Sequence, residues 1–230
     1  MPSVLITGAN RGIGLEFTSS FADDGWRVHA CCRNPDKAKD LKLLAEGSSG
    51  AVSVHRLDVT DGLKVASLAR EFAEEAIDIL INNAGVFGPR EGFGETDYDE
   101  WLPVLAVNVL APMRMVERFA EHVGRSERRL IVNISSRMGS MAENTGGGAY
   151  IYRSSKAALN MVSRSLAADL APRSITVVAF HPGWVQTDMG GQQAAISAQE
   201  SVQGMRKVID RLTPDDTGKF FGFDGREIPW

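Results

Sequence analysis

Short runs of β-branched and aliphatic residues alternate with longer amphipathic stretches along this chain, and that alternation permits few folds. The runs Val4 to Thr7, Arg27 to Cys31, Val52 to Leu57, Ile77 to Asn82, Leu130 to Ile134, Ile175 to Phe180 and Lys219 to Phe221 read as strands. Helical periodicity fills the intervals at Ile13 to Asp23, Asp36 to Glu46, Gly62 to Glu74, Asp97 to Val123, Tyr152 to Leu170 and Gln199 to Leu212. A helix between successive strands carries the chain across a sheet face, so neighbouring strands run parallel. Ile79-Leu-Ile and Ile131-Val-Asn-Ile lack polar alternation, as expected where helices cover both faces. Right-handed crossovers then give an α/β fold, a doubly wound Rossmann-type parallel sheet of about seven strands. No Pro-, Gly- or Ser-rich linker divides the 230 residues, so a single dinucleotide-binding domain over 1–230 is expected.

With 43% hydrophobic and 23% charged residues, the chain can bury a core and disorder is excluded. A net charge of −4 argues against nucleic acid as the main partner, because phosphate backbones need a basic surface. A small molecule fits better. The N-terminus runs straight into a strand without a basic flank or cleavage site, and no run approaches the roughly 18 apolar residues that cross a bilayer. Cys31 and Cys32 are adjacent and point to opposite faces of a strand, which disfavours a bridge between them and suits a reduced, cytoplasmic compartment. His29, His55, His122 and His181 show no metal-site spacing, so no metal is expected.

Thr7-Gly8-Ala9-Asn10-Arg11-Gly12-Ile13-Gly14 joins the first strand to the first helix. Glycines there let backbone amides approach a pyrophosphate at the positive end of the helix dipole. The spacing is GxxxGxG, not the commoner GxGxxG. In an NAD site the second strand ends in a carboxylate for the ribose 2′-hydroxyl, whereas a 2′-phosphate needs a cation. Here the strand ends Cys31-Cys32-Arg33, and Arg11 is available from the glycine turn, so NADP(H) is preferred over NAD(H). Asp58, followed by Val59, closes the third strand, where its carboxylate accepts from an adenine amino group or caps the next helix. Asn83, Ala84 and Gly85 end the fourth strand; the small residues admit backbone close to a cofactor, and Asn83 is placed to tie neighbouring strands.

Tyr152 and Lys156 lie four residues apart on one helix face. A lysine ammonium beside a phenol stabilises the phenolate and lowers the tyrosine's pKa toward the working pH, making a general acid.

Taken in order, Thr7 to Gly14, Asn82 to Gly85, the pair Ser135 and Ser136, Tyr152 to Lys156, and Pro182-Gly183 make the chain resemble the short-chain dehydrogenase/reductase family over essentially its whole length. Ser135 to Ser140, Asn144 to Tyr150 and His181 to Gly191 look like its C-factor group, relatives of sniffer-type carbonyl reductases. The resemblance implies that Tyr152 gives a proton to a carbonyl oxygen while a nicotinamide gives hydride to its carbon. Lys156 then lowers the tyrosine's pKa and bonds the nicotinamide ribose, and Ser136, with Ser135 as its rival, bonds the substrate oxygen. Asn108 corresponds to an asparagine that holds a water for proton relay. Beyond Pro182 and Gly183, the amides near Val185 and the Thr187 hydroxyl hold the nicotinamide carboxamide. Met138, Met141, Trp184, Met189 and the 190–197 loop shape an apolar substrate pocket or fill core beneath loops. The implied activity is NADP-dependent reduction of an aldehyde, ketone or quinone; the alternative is a C-factor-like signalling protein that binds NAD(P) with little turnover. Helices 97–123 and 152–170 match the dimer face of many relatives, which leaves homodimer, homotetramer or monomer open.

Overall fold

A computed structural model describes residues 1–230 and places seven strands in one parallel sheet in the order β3-β2-β1-β4-β5-β6-β7. The strands are β1 (Ser3–Thr7), β2 (Arg27–Cys32), β3 (Val52–Arg56), β4 (Ile79–Asn82), β5 (Leu130–Ile134), β6 (Thr176–His181) and β7 (Phe220–Gly222). The helices are α1 (Gly12–Asp23), α2 (Lys39–Gly47), α3 (Gly62–Phe72), α4 (Tyr98–Leu105), α5 (Ala111–Gly124), α6 (Tyr150–Leu170) and α7 (Ala198–Arg211). Winding reverses between β1 and β4, which pair through Val4 with Ile79 and Leu5 with Leu80. At such a reversal the strand ends splay their loops apart and leave a crevice.

Alternate residues of β1 show how both faces are sealed. Val4 and Ile6 pack with Phe17 and Phe21 of α1, Leu41 of α2 and Met205 and Ile209 of α7. Leu5, on the opposite face, packs with Leu68 of α3, Phe119 of α5 and Leu166 and Leu170 of α6. A buried polar chain crosses this second face: Asn82 of β4 donates to Asn133 of β5 at 2.9 Å, and Asn133 donates to Ser163 of α6 at 2.8 Å. Inside a core such partners are needed to offset desolvation.

One expected helix is interrupted. The periodicity of 97–123 suggests an unbroken rod, but α4 ends at Leu105, a π turn spans Ala106–Leu110, and α5 begins at Ala111. Pro112 has no N–H to give the Asn108 carbonyl, so the α ladder fails there and widens. Likewise Pro35–Lys37 forms a separate 3-10 turn ahead of α2. No helix is long and apolar enough to cross a membrane.

Candidate active site

Loops leaving the C-terminal ends of β1, β4, β5 and β6 converge on the crevice. In the first of them Gly8 and Gly12 adopt φ of 66° and 53°, the left-handed region that glycine enters without strain. Asn10 is half-buried in this turn. Helix α1 opens at Gly12 with no side chain capping it and no acid in its first turn, so the amides of Gly12, Ile13 and Gly14 are free to meet an anion. A Cβ on Gly14 would stand 2.5 Å from the Asn83 Nδ2. That amide donates to the carbonyls of Thr7 at 2.9 Å and Gly8 at 3.2 Å, and the Thr7 hydroxyl accepts from the N–H groups of Asn83 and Ala84, both at 3.0 Å. The glycine turn and the end of β4 are therefore one braced unit, and its open amides fit a dinucleotide pyrophosphate.

The two arginines expected to read a 2′-phosphate diverge. Arg11 turns across the glycine turn to pair with Asp188 at 2.5 Å, away from the end of β2. Arg33 stays exposed, with no ion-pair partner, near Asp58. The carboxyl of Asp58 is held below the usual range chiefly by the Thr60 hydroxyl, with Arg33 adding to it. Helix α3 is capped by Asp61, which accepts from Leu63 N–H at 3.0 Å, so capping is not the task of Asp58. Asp36, the first acid beyond β2, is engaged by Arg56 and by Lys42 at 3.9 Å, which leaves Arg33 the free charge there.

Tyr152 and Lys156 emerge from the first turns of α6 and are both buried. The Lys156 Nζ lies 5.8 Å from the centre of the tyrosine ring and donates to the Ile134 carbonyl at 2.9 Å. Burial pushes the phenol up to about 12, against a side-chain hydrogen bond from Ser136 that lowers it. The same burial brings the lysine down to about 8. The expected lowering of the tyrosine's pKa by its lysine is therefore not found: burial sets the direction, and the Lys156 ammonium is bonded to the Ile134 carbonyl. A phenol this reluctant to ionise holds its proton at neutral pH and can donate it.

The two serines separate clearly. Both line the cleft, but the Ser135 hydroxyl donates to the Asn160 Oδ1 at 2.5 Å and is engaged there, whereas the Ser136 hydroxyl lies beside that of Tyr152. Asn108, in the π turn, is fully buried; its Oδ1 accepts from Val86 N–H at 2.9 Å, and its Nδ2 donates to the Val86 carbonyl at 2.8 Å and to Ser155 at 2.9 Å. Its side chain is therefore saturated, bracing the β4 loop against α6. Gly85 sits against this pair, its absent Cβ 3.3 Å from the Asn108 Oδ1 and 3.6 Å from the Lys156 Nζ. After β6, Gly183 has φ of 90° and the chain folds back so that Val185 bridges Ile196; Thr187 accepts from Gly190 N–H at 3.2 Å. Val59 is buried and Ala84 half-buried, beside the glycine turn's side of the crevice.

A cleft of about 750 Å³ opens in front of Tyr152. Met138, Trp184 and Met189 line it as expected, while Met141 does not. Sequence reasoning missed Phe87, whose ring stacks on Tyr152 at 4.3 Å, and the charged rim of Arg90, Glu91, Arg137, Glu143 and Arg153. The aromatic two residues past Gly85 was the available signal for Phe87. The rim brings together three separate segments and has no local signature.

The family model described as short chain dehydrogenase matches residues 2–197. The C-signal protein of Myxococcus xanthus is 47% identical over 154 residues, 67% of this chain and 93% of that protein. The carbonyl reductase Sniffer of D. melanogaster superposes with a TM-score of 0.95 at 31% identity, covering 100% of both chains. An NADPH-bound carbonyl reductase from chicken fatty liver superposes with a TM-score of 0.93 at 33% identity, covering 100% of this chain and 99% of that one.

Proposed function

Because the chain belongs to the short-chain dehydrogenase family and is an NAD(P)-dependent oxidoreductase acting on a small molecule, we propose that it reduces an aldehyde, ketone or quinone to an alcohol, with NADP(H) preferred over NAD(H). The observation that carries this reading is a buried phenol beside Ser136 and Lys156, at the base of an open cleft beside the glycine turn. Residues 1–230 act as one dinucleotide-binding unit.

The bound nicotinamide would supply the hydride. Tyr152 donates the proton to the carbonyl oxygen, and Ser136 bonds that oxygen as charge builds on it. Lys156 keeps a positive charge beneath the phenol and bonds the nicotinamide ribose. Water for reloading the tyrosine is held by the main-chain carbonyl of Asn108, which Pro112 deprives of its helical donor. Gly8, Asn10, Gly12, Ile13 and Gly14 cradle the pyrophosphate, Asp58 and Val59 meet the adenine, and Asn83, Ala84 and Gly85 flank the ribose. Pro182, Gly183, Val185 and Thr187 hold the carboxamide edge. Arg33 meets the 2′-phosphate, while Arg11, paired with Asp188, closes over the groove.

The test is oxidation of NADPH with a panel of aldehydes, ketones and quinones. Turnover is expected, with a Michaelis constant for NADPH about tenfold or more below that for NADH, the difference of one charge-assisted contact. A preference for NADH would overturn the role of Arg33.

pH supplies an independent check. The pKa of Lys156 is lowered to about 8 and that of Tyr152 raised to about 12, so between these values the lysine loses its charge while the phenol keeps its proton. kcat/KM for NADPH, which reports the free enzyme, should be level below about 8 and fall as pH rises through it. A profile unchanged through that point would remove the lysine's charge from the mechanism.

A second reading rests on the likeness to C-signal: a signalling protein that binds the dinucleotide and turns over little. It is favoured if NADPH binds and no carbonyl is reduced. A cytoplasmic setting suits the two buried, unbridged cysteines. Exposed Leu102, Leu110 and Met161 on α4, the π turn and α6 would serve a homodimer or homotetramer.

A further inference from the structure

We propose that the substrate carries a carboxylate, set several bonds away from its carbonyl, and that Arg90 and Arg153 hold it; this rests on the reductase reading above. The cleft is lined by three arginines and two glutamates, and these do not cancel. Arg137 pairs with Glu143 at 3.0 Å. Glu91 is tied to the start of α6, its Oε1 accepting from Ile151 N–H at 2.8 Å where the helix's positive end favours a carboxylate, while its Oε2 is buried without a partner. Neither glutamate pairs with Arg90 or Arg153, and both guanidinium groups face a cleft otherwise walled by Met138, Trp184 and Met189.

Arg153 is positioned in advance. Its Nε donates to the Gly147 carbonyl at 3.1 Å and one terminal nitrogen donates to Met138 at 3.4 Å, leaving the other nitrogen for an anion. Arg90 sits 4.9 Å over the Phe87 ring, which also stacks on Tyr152 at 4.3 Å. That cation and the phenol are thus gathered around one phenyl ring. With the carbonyl at Tyr152 and the cation held on the Phe87 ring, an acid across a benzene ring or a chain of several carbons from that carbonyl fits the arrangement.

The experiment compares 4-carboxybenzaldehyde with its methyl ester, the same aldehyde without the charge, in NADPH-dependent reduction by the full chain. The expected kcat/KM is about tenfold higher for the acid at low ionic strength, shrinking as salt screens the contact. Arg90 engages only the Phe87 ring, so its replacement leaves folding contacts intact. Arg90→Gln should cut the acid-to-ester ratio about threefold to tenfold and Arg90→Glu should bring it to one or below. Equal turnover of acid and ester, or a ratio unmoved by Arg90→Glu, overturns the proposal while leaving the reductase reading standing. Failure of both aldehydes overturns the proposal alone where other carbonyls of the panel are reduced, and the two together where the whole panel fails with NADPH bound.

Discussion

Replacing Tyr152 with Phe is expected to lower kcat by about a hundredfold to ten-thousandfold, the usual contribution of a positioned general acid, while NADPH binds with nearly unchanged affinity. The ring would keep its burial and its stack on Phe87 at 4.3 Å, so the fold should be undisturbed. What disappears is the hydroxyl that Ser136 bonds and that holds its proton up to about 12. Other neighbours are already engaged: Ser135 with Asn160, Asn108 with Val86 and Ser155, and the Lys156 ammonium with the Ile134 carbonyl. Single-turnover reduction beside a cofactor titration separates the two effects. Near-normal turnover would remove Tyr152 from the chemistry, and loss of NADPH binding would make it a cofactor ligand first.

Gly14→Ala should abolish measurable cofactor binding at ordinary concentrations and lower stability by about 1–3 kcal/mol, the range for forcing a methyl into a packed site. The added carbon would stand 2.5 Å from the Asn83 Nδ2 and closer still to the Gly8 carbonyl oxygen. Neither can yield cheaply. The Asn83 amide is held by bonds of 2.9 and 3.2 Å to the backbone of Thr7 and Gly8, so relief must displace the glycine turn itself. A shift of about 1 Å in a cradle of this kind is enough for a hundredfold loss. Gly47→Ala, where the new carbon meets nothing within 4 Å, is the matched control. Equal NADPH affinity in the two variants would show that the turn does not hold the pyrophosphate.

Much of this architecture is legible in the sequence because its determinants are local. A strand that must be apolar on both faces betrays itself in runs such as Ile131-Val-Asn-Ile, and a glycine turn before a helix is a contiguous string. The break between α4 and α5 was also written locally, in Pro112, but the amphipathic period on either side masks it. The tyrosine's proton affinity was not legible. Proximity to Lys156 argues for a lowered pKa, while burial, a property of the assembled fold, raises it. The fate of Arg11 depends on Asp188, far along the chain, and the charged rim of the cleft depends on Arg90, Glu91 and Arg153 meeting across a crevice. Read singly, each is an ordinary solvated residue.

The line of amides and hydroxyls from Asn82 through Asn133 to Ser163 gives α6 a fixed index mark on the sheet. Leucines in those places would bury readily, yet greasy surfaces slip by fractions of an ångström at little cost, and the phenol and amine ride on the same rod. Polar teeth meshed at this depth thus trade some cohesion for a fixed spacing between that rod and the strand ends.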